Sequence, residues 1–102
     1  MLVSFTLPTR KRISQLSKAL ESIYNTCYNK NNFEILLAVD NDDLETIEFI
    51  QNFIPNHPNV KMFLFERQRY KGMYVYQNTL IKHALGEFIW TINDDTEFQS
   101  KN

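Results

Sequence analysis

Hydrophobic positions along the chain fall into two alternating patterns. Residues 2–7 are a short, largely apolar run ending at Pro8, which predicts a buried strand. Ser14 then offers a helix cap, and Leu16, Ala19, Leu20 and Ile23 follow at spacings of three and four, with Cys27 next in the series. After a polar break at 29–32, residues 33–39 are nearly all apolar, the mark of a strand covered on both faces. Asp43 offers the next cap, for a helix with Leu44, Ile47, Ile50 and Phe53 or Ile54 on one side, closed by Pro55 and Pro58. Residues 60–65 predict a third strand. Gly72 opens a third helix with Met73, Tyr76, Leu80, Ile81 and Ala84 as its buried stripe and Gly86 where a C-cap belongs. Residues 88–92 predict a fourth strand.

Strands alternating with helices of this length imply right-handed crossovers and a mostly parallel sheet, so the fold class is α/β. The 102 residues leave room for a single domain, 1–102, with 43 % apolar and 23 % charged residues, the balance of a globular fold. Lys+Arg is 11 against 12 Asp+Glu, a net charge of −1 that gives no general attraction to nucleic acid or anionic lipid. One cysteine excludes a disulfide framework and a cysteine-rich zinc site. No stretch approaches the roughly 18 apolar residues of a membrane span. Met1 leads straight into an apolar run without a basic segment, so a secretory leader is not expected and a cytoplasmic location is.

Ligands of open parallel sheets bind outside the carboxyl ends of the strands, and the charges can be sorted by that rule. Arg10, Lys11 and Arg12 follow the first strand, Asp40, Asp42 and Asp43 the second, Arg67, Arg69 and Lys71 the third, and Asp94, Asp95 and Glu97 the fourth. Polar loops explain any one of these clusters. Four on one rim suit a ligand that carries phosphates and a divalent cation with hard oxygen ligands. With only Gly72 and Gly86 as glycines, neither a GxGxxG turn nor a P-loop is present, so dinucleotide oxidoreductases and P-loop phosphotransferases are set aside.

These residues resemble the nucleotide-binding half of a family 2 glycosyltransferase with the Rossmann-like GT-A fold. Residues 3–9, Val-Ser-Phe-Thr-Leu-Pro-Thr, resemble that family's first strand and Pro-Thr turn, and Arg12, Leu16, Leu20, Ser22 and Ile23 its first helix. Residues 33–41 resemble its second strand with a terminal aspartate, and Gly72, Asn78, Ala84, Gly86 and Glu87 match its third-helix spacing. Residues 90–95, Trp-Thr-Ile-Asn-Asp-Asp, resemble a strand running into the DXD motif. The resemblance implies that Thr9 and Asp40 hold the nucleobase and that Asp94 lies against the ribose or diphosphate. It also implies that Asp95 binds Mn²⁺ or Mg²⁺ bridging the phosphates of a nucleotide-diphospho-sugar donor. Transfer to an acceptor hydroxyl would be metal-assisted and inverting, the metal neutralising charge on the leaving diphosphate.

Four residues, in three places, depart from the family pattern. Arg10 and Lys11 replace an aromatic and an Asn, Tyr76 stands where a small residue is usual, and Asn93 makes the motif NDD. The sequence ends seven residues after Asp95, at Asn102, so the acceptor half and its general base are expected from another chain or are missing, and no catalytic residue is assigned. The alternative function is a catalytically inactive nucleotide-binding or interaction module of the same fold. A phospho-acceptor regulatory domain is disfavoured, because the loops that would carry its aspartates, after the first and third strands, carry bases. A four-stranded sheet with an open edge suits self-association or a second polypeptide.

The remaining polar and aromatic candidates have plainer readings. His57, between two prolines, is expected on the surface, and His83 at a helix end, where an imidazolium complements the dipole. Cys27 reads as a packed thiol and Trp90 as core. Tyr76 is expected buried, with Tyr70 and Tyr74 open to stack on a base or sugar. Arg67, Arg69 and Lys71 either steer a diphosphate or form a solvated loop.

Overall fold

A computed structural model describes residues 2–26, 32–66 and 73–91, the side chains of 73–75 excepted. The elements are β1 (Val3–Thr9), α1 (Ile13–Thr26), β2 (Phe33–Asp40), α2 (Leu44–Phe53), a single 3₁₀ turn (Ile54–Asn56), β3 (Val60–Phe65), α3 (Met73–His83) and β4 (Phe88–Thr91). Among the described residues all pairings are parallel, in the order β3-β2-β1-β4. The order reverses at β1: the chain winds outward through β2 and β3, then returns to place β4 on β1's other side.

Side-chain alternation divides the two layers. Phe5 and Leu7 of β1 and Phe33, Ile35, Leu37 and Val39 of β2 pack with Leu16, Ala19, Leu20 and Ile23 of α1 and Ile50 of α2. On the opposite face, Leu36 and Ala38 meet Leu80 of α3, with Phe63, Phe65, Tyr76 and Ala84 around them. Every residue of β2 is buried, Glu34 and Asp40 included, as its nearly all-apolar run predicts for a central strand covered by helices on both sides.

Several local expectations change. β1 runs through Pro8 to Thr9; Pro8 pairs with Ala38 but lies past Thr6, the last residue paired with β4, so its position is one-sided, as proline requires. α1 begins at Ile13, its first turn closed by the Leu16 amide on the Arg12 carbonyl, so Ser14 lies inside the helix rather than capping it. Leu44 and Ile81 point outward, because each falls beside, not on, its helix's buried row. Trp90 is 51 % exposed: it stacks on Phe5 with ring centroids 5.5 Å apart, but β4 is an edge strand among the described residues. His57 is half-buried, its ring flat against Phe53 at 3.8 Å and edge-on to Tyr24 at 4.7 Å. His83 is exposed in the last turn of α3, as expected, with Nδ1 2.9 Å from the Thr79 carbonyl.

Gly86 acts through close approach, not as a helix cap. α3 ends at His83, and Gly86 does not adopt a positive φ. A Cβ there would stand 2.5 Å from Ser4 Oγ, 2.7 Å from the Ser4 nitrogen and 2.9 Å from the Leu2 carbonyl oxygen, so only glycine lets the segment leading into β4 lie against β1. The Gly86 amide donates to Ser4 Oγ at 2.8 Å. Ser4 in turn donates to Glu34 Oε2 at 2.6 Å, and Glu34 also accepts the Leu85 amide at 2.7 Å and Lys61 Nζ at 3.1 Å. This chain of bonds pins the start of β4 to the amino ends of β1 and β2.

Candidate functional site

The opposite, carboxyl end of the sheet carries the candidate site. Thr9 ends β1 and pairs with Val39, while Asp40 ends β2, so the two predicted base-binding residues come from adjacent strand ends and both are buried. Three residues, Arg10 to Arg12, join β1 to α1. Making that turn places Lys11 in the left-handed region at φ 51°, a conformation costing a non-glycine residue about 1–2 kcal/mol. The turn is held from outside: the Lys11 amide donates to Asp43 Oδ2 at 2.6 Å. Asp43 is the N-cap residue of α2, as its position predicts, but its side chain makes no capping bond because it is committed to the neighbouring loop.

Arg10 ties the same two loops together by charge. Its Nη1 donates to Asp40 Oδ2 at 2.8 Å and to Asp42 Oδ1 at 2.7 Å, and Nη2 reaches Asp42 Oδ2 at 3.3 Å. The hydrogen bond to Asp42 is the largest influence raising the guanidinium's pKa above its ordinary value; partial burial opposes it, and Asp40 and both carboxylate charges add to it. The second oxygen of Asp40 is taken from the other face, by the Tyr76 hydroxyl of α3 at 2.6 Å. Tyr76 is set by edge-on packing against Phe65 at 4.9 Å, and the next residue, Gln77, donates to the Thr6 carbonyl at 3.2 Å. Asp40 is thus a buried carboxylate, its side chain 6 % exposed, oriented by one cation and one neutral donor.

A hollow of about 410 Å³ opens beside this cluster, lined by Lys11, Ile13, Asp42, Asp43, Leu44 and Glu45. It lies on the α1/α2 flank, whereas Asp40 faces α3, so Asp42 borders both. The basic and acidic loops after β1 and β2 do share one rim, as the charge sorting predicts, but they neutralise one another. Asp94, Asp95, Glu97, Cys27, Tyr70 and the Arg67, Arg69, Lys71 set lie outside the described residues, as do the side chain of Tyr74 and Gly72. What sequence reasoning missed is the pair of partners on Asp40. Tyr76 and Arg10 were both visible as departures from the family pattern, and that was their signal.

Residues 4–102 match the sequence profile of Glycosyl transferase family 2. The chain belongs to that family. A curated relative is the dolichyl N-acetyl-alpha-D-glucosaminyl phosphate 3-beta-D-2,3-diacetamido-2,3-dideoxy-beta-D-glucuronosyltransferase of Methanococcus voltae, 28 % identical over 86 residues, covering 84 % of this chain and 26 % of the relative. Among solved structures, S. aureus TarS 1–349 superimposes with a TM-score of 0.85 at 23 % identity, over 99 % of this chain and 29 % of TarS. TarS in complex with UDP-GlcNAc gives 0.78 at 23 % identity, over 93 % and 27 %. The mannosyltransferase PcManGT from Pyrobaculum calidifontis, in complex with GDP-Man and Mn²⁺, gives 0.75 at 22 % identity, over 91 % and 27 %. This family 2 chain spans between a quarter and three-tenths of the length of these relatives, with coverages of 26 %, 29 % and 27 %. Its four-stranded parallel sheet with interleaved helices is the Rossmann-like GT-A half-fold. No described helix is long and apolar enough to cross a membrane.

Proposed function

We propose that residues 1–102 form the donor-binding domain of a glycosyltransferase that takes its sugar from a nucleotide-diphospho-sugar. The observation that carries this reading is that a buried carboxylate, Asp40, and the buried Thr9 end adjacent strands at the carboxyl edge of the sheet, next to the strand-order reversal where open α/β sheets take ligands. Asp40 accepts an N–H of the nucleobase, and Thr9 flanks the base. The relatives' bound UDP-GlcNAc and GDP-Man support a nucleotide-sugar as the ligand class.

The described rim carboxylates do not fit a divalent cation. Asp40 and Asp42 hold Arg10, Asp43 accepts the Lys11 amide, and no group of three or more His, Cys, Asp or Glu placed to hold a metal occurs among the described residues. In this reading the metal role falls on Asp95 of the Asn93-Asp94-Asp95 run, with Asp94 against the ribose or diphosphate, as the family resemblance implies. Mn²⁺ or Mg²⁺, when bound, supplies charge neutralisation to the diphosphate. The acceptor hydroxyl attacks the anomeric carbon in line, forming the new C–O bond as the diphosphate departs with the electron pair of the old one, so configuration inverts. No described residue is assigned as the base that takes the hydroxyl proton.

Calorimetric titration with UDP and GDP, with and without Mn²⁺, tests the reading. Metal-dependent binding of a nucleoside diphosphate is expected, together with slow release of free sugar from a bound donor that is lost in Asp95→Ala. Binding that ignores the metal, or no binding of either nucleotide, counts against it; binding without sugar release favours the inactive-module alternative.

A further inference from the structure

The two oxygens of Asp40 have partners of different kinds. Arg10, on Oδ2, has a second anchor in Asp42, which bonds both of its terminal nitrogens, so the guanidinium can release Asp40 and remain ion-paired at the rim. Tyr76, on Oδ1, is carried by a helix docked on the sheet, with its ring against Phe65 and Gln77 tied to the β1 backbone. Withdrawing its hydroxyl means disturbing that packing. One oxygen of the carboxylate is therefore exchangeable and the other is held.

We propose that Tyr76 is a specificity-determining residue: by holding Oδ1 it leaves Oδ2 as the acceptor open to a nucleobase, and so selects a uracil-type base over guanine. The inference rests on Asp40 being the base-recognising carboxylate of the function proposed above. Uracil and thymine present a single imide N–H flanked by carbonyls, which one carboxylate oxygen satisfies. Guanine presents N1–H and the N2 amino group on one edge and matches a carboxylate when both oxygens are free. At Asp40 guanine would compete with Arg10 and Tyr76 together, in a position only 6 % exposed. A uracil-type base displaces Arg10 alone.

The test is titration of wild type and Tyr76→Phe with UDP and GDP under identical metal and salt, the shared diphosphate cancelling in the ratio. Wild type is expected to bind UDP at least about tenfold tighter than GDP, the discrimination typical of a well-placed pair of base contacts. Tyr76→Phe, which keeps the ring packing and removes the hydroxyl, is expected to narrow that ratio about fivefold or more through a gain in GDP affinity. A wild type that prefers GDP, or a ratio unchanged in Tyr76→Phe, overturns the inference while leaving the nucleotide-binding reading standing. If wild type binds neither nucleotide, both fall. A wild-type preference for GDP overturns the inference even if the variant is destabilised.

Discussion

Glu34 provides a graded test of how β4 is held. Its Oε2 accepts two bonds, from the buried Ser4 Oγ at 2.6 Å and from the Leu85 amide at 2.7 Å, while Oε1 faces the half-exposed Lys61 at 3.1 Å. Glu34→Gln keeps one carbonyl oxygen for Ser4 and Leu85 and turns an amide toward Lys61, so it loses charge assistance and the outer ion pair. That substitution is expected to cost about 1 kcal/mol. Glu34→Leu removes the one oxygen that accepts both inner bonds and strands their donors, each bond worth about 1.5–3 kcal/mol when made to a charged group, so a loss of about 3–5 kcal/mol is expected. Such a loss is a large part of the roughly 5–15 kcal/mol that stabilises a domain of this kind.

Urea denaturation at pH 7 separates the two variants. With a slope of roughly 1–2 kcal/mol/M, the Leu variant shifts the midpoint by about 2 M or more and the Gln variant by less than about 1 M. The pH dependence has a definite sign. Burial pushes the Glu34 carboxyl up, but bonds from Ser4, the Leu85 amide and Lys61 outweigh it and hold the group below its ordinary value of 4.5. A depressed carboxyl contributes its stability above the unfolded value and loses it as pH falls through the folded one. The gap between wild type and Glu34→Gln is therefore expected to close on acidification below pH 4.5. A Leu variant no weaker than Gln at pH 7, or a gap still open at pH well below that range, would refute the network account.

Two further changes probe backbone positions. Gly86→Ala drives a methyl to 2.5 Å from Ser4 Oγ and 2.7 Å from the Ser4 backbone nitrogen, and the backbone cannot yield as a side chain does. A loss of about 2–4 kcal/mol is expected, read as a lowered thermal midpoint, and a neutral result would mean that the approach of β4 to β1 is looser than described. Lys11→Gly relieves a left-handed residue at φ 51° while adding freedom to the unfolded chain. The net expectation is a gain of about 0.5–1 kcal/mol, or about 2–6 °C in midpoint; a fall would show that the Lys11 side chain contributes more than its backbone costs.

The amino-acid sequence by itself determined the succession of elements. A run at 33–39 that is apolar but for Glu34 predicts a strand covered on both faces, and β2 is buried throughout. The three-and-four spacing of Leu16, Ala19, Leu20 and Ile23 marks the face that α1 buries. These signals are legible because periodicity is a property of neighbours in the chain. Thr9 and Asp40 end β1 and β2, close to where the apolar runs of the sequence stop.

Tertiary structure alone decided which groups meet across the chain. Arg10 and Asp40 are 30 residues apart and Tyr76 and Asp40 are 36 apart, so no local pattern pairs them. Asp43 has the letter and position of a helix cap, yet a backbone amide from the neighbouring loop takes its carboxylate. Gly86 looks like a helix stop and is required instead by Ser4, 82 positions earlier. Trp90 reads as core from its strand and is half-exposed because burial depends on what flanks the sheet edge. The physical reason is common to all four: propensity and period act over a few residues, whereas hydrogen-bond partners and close contacts are set by where the sheet brings distant segments together.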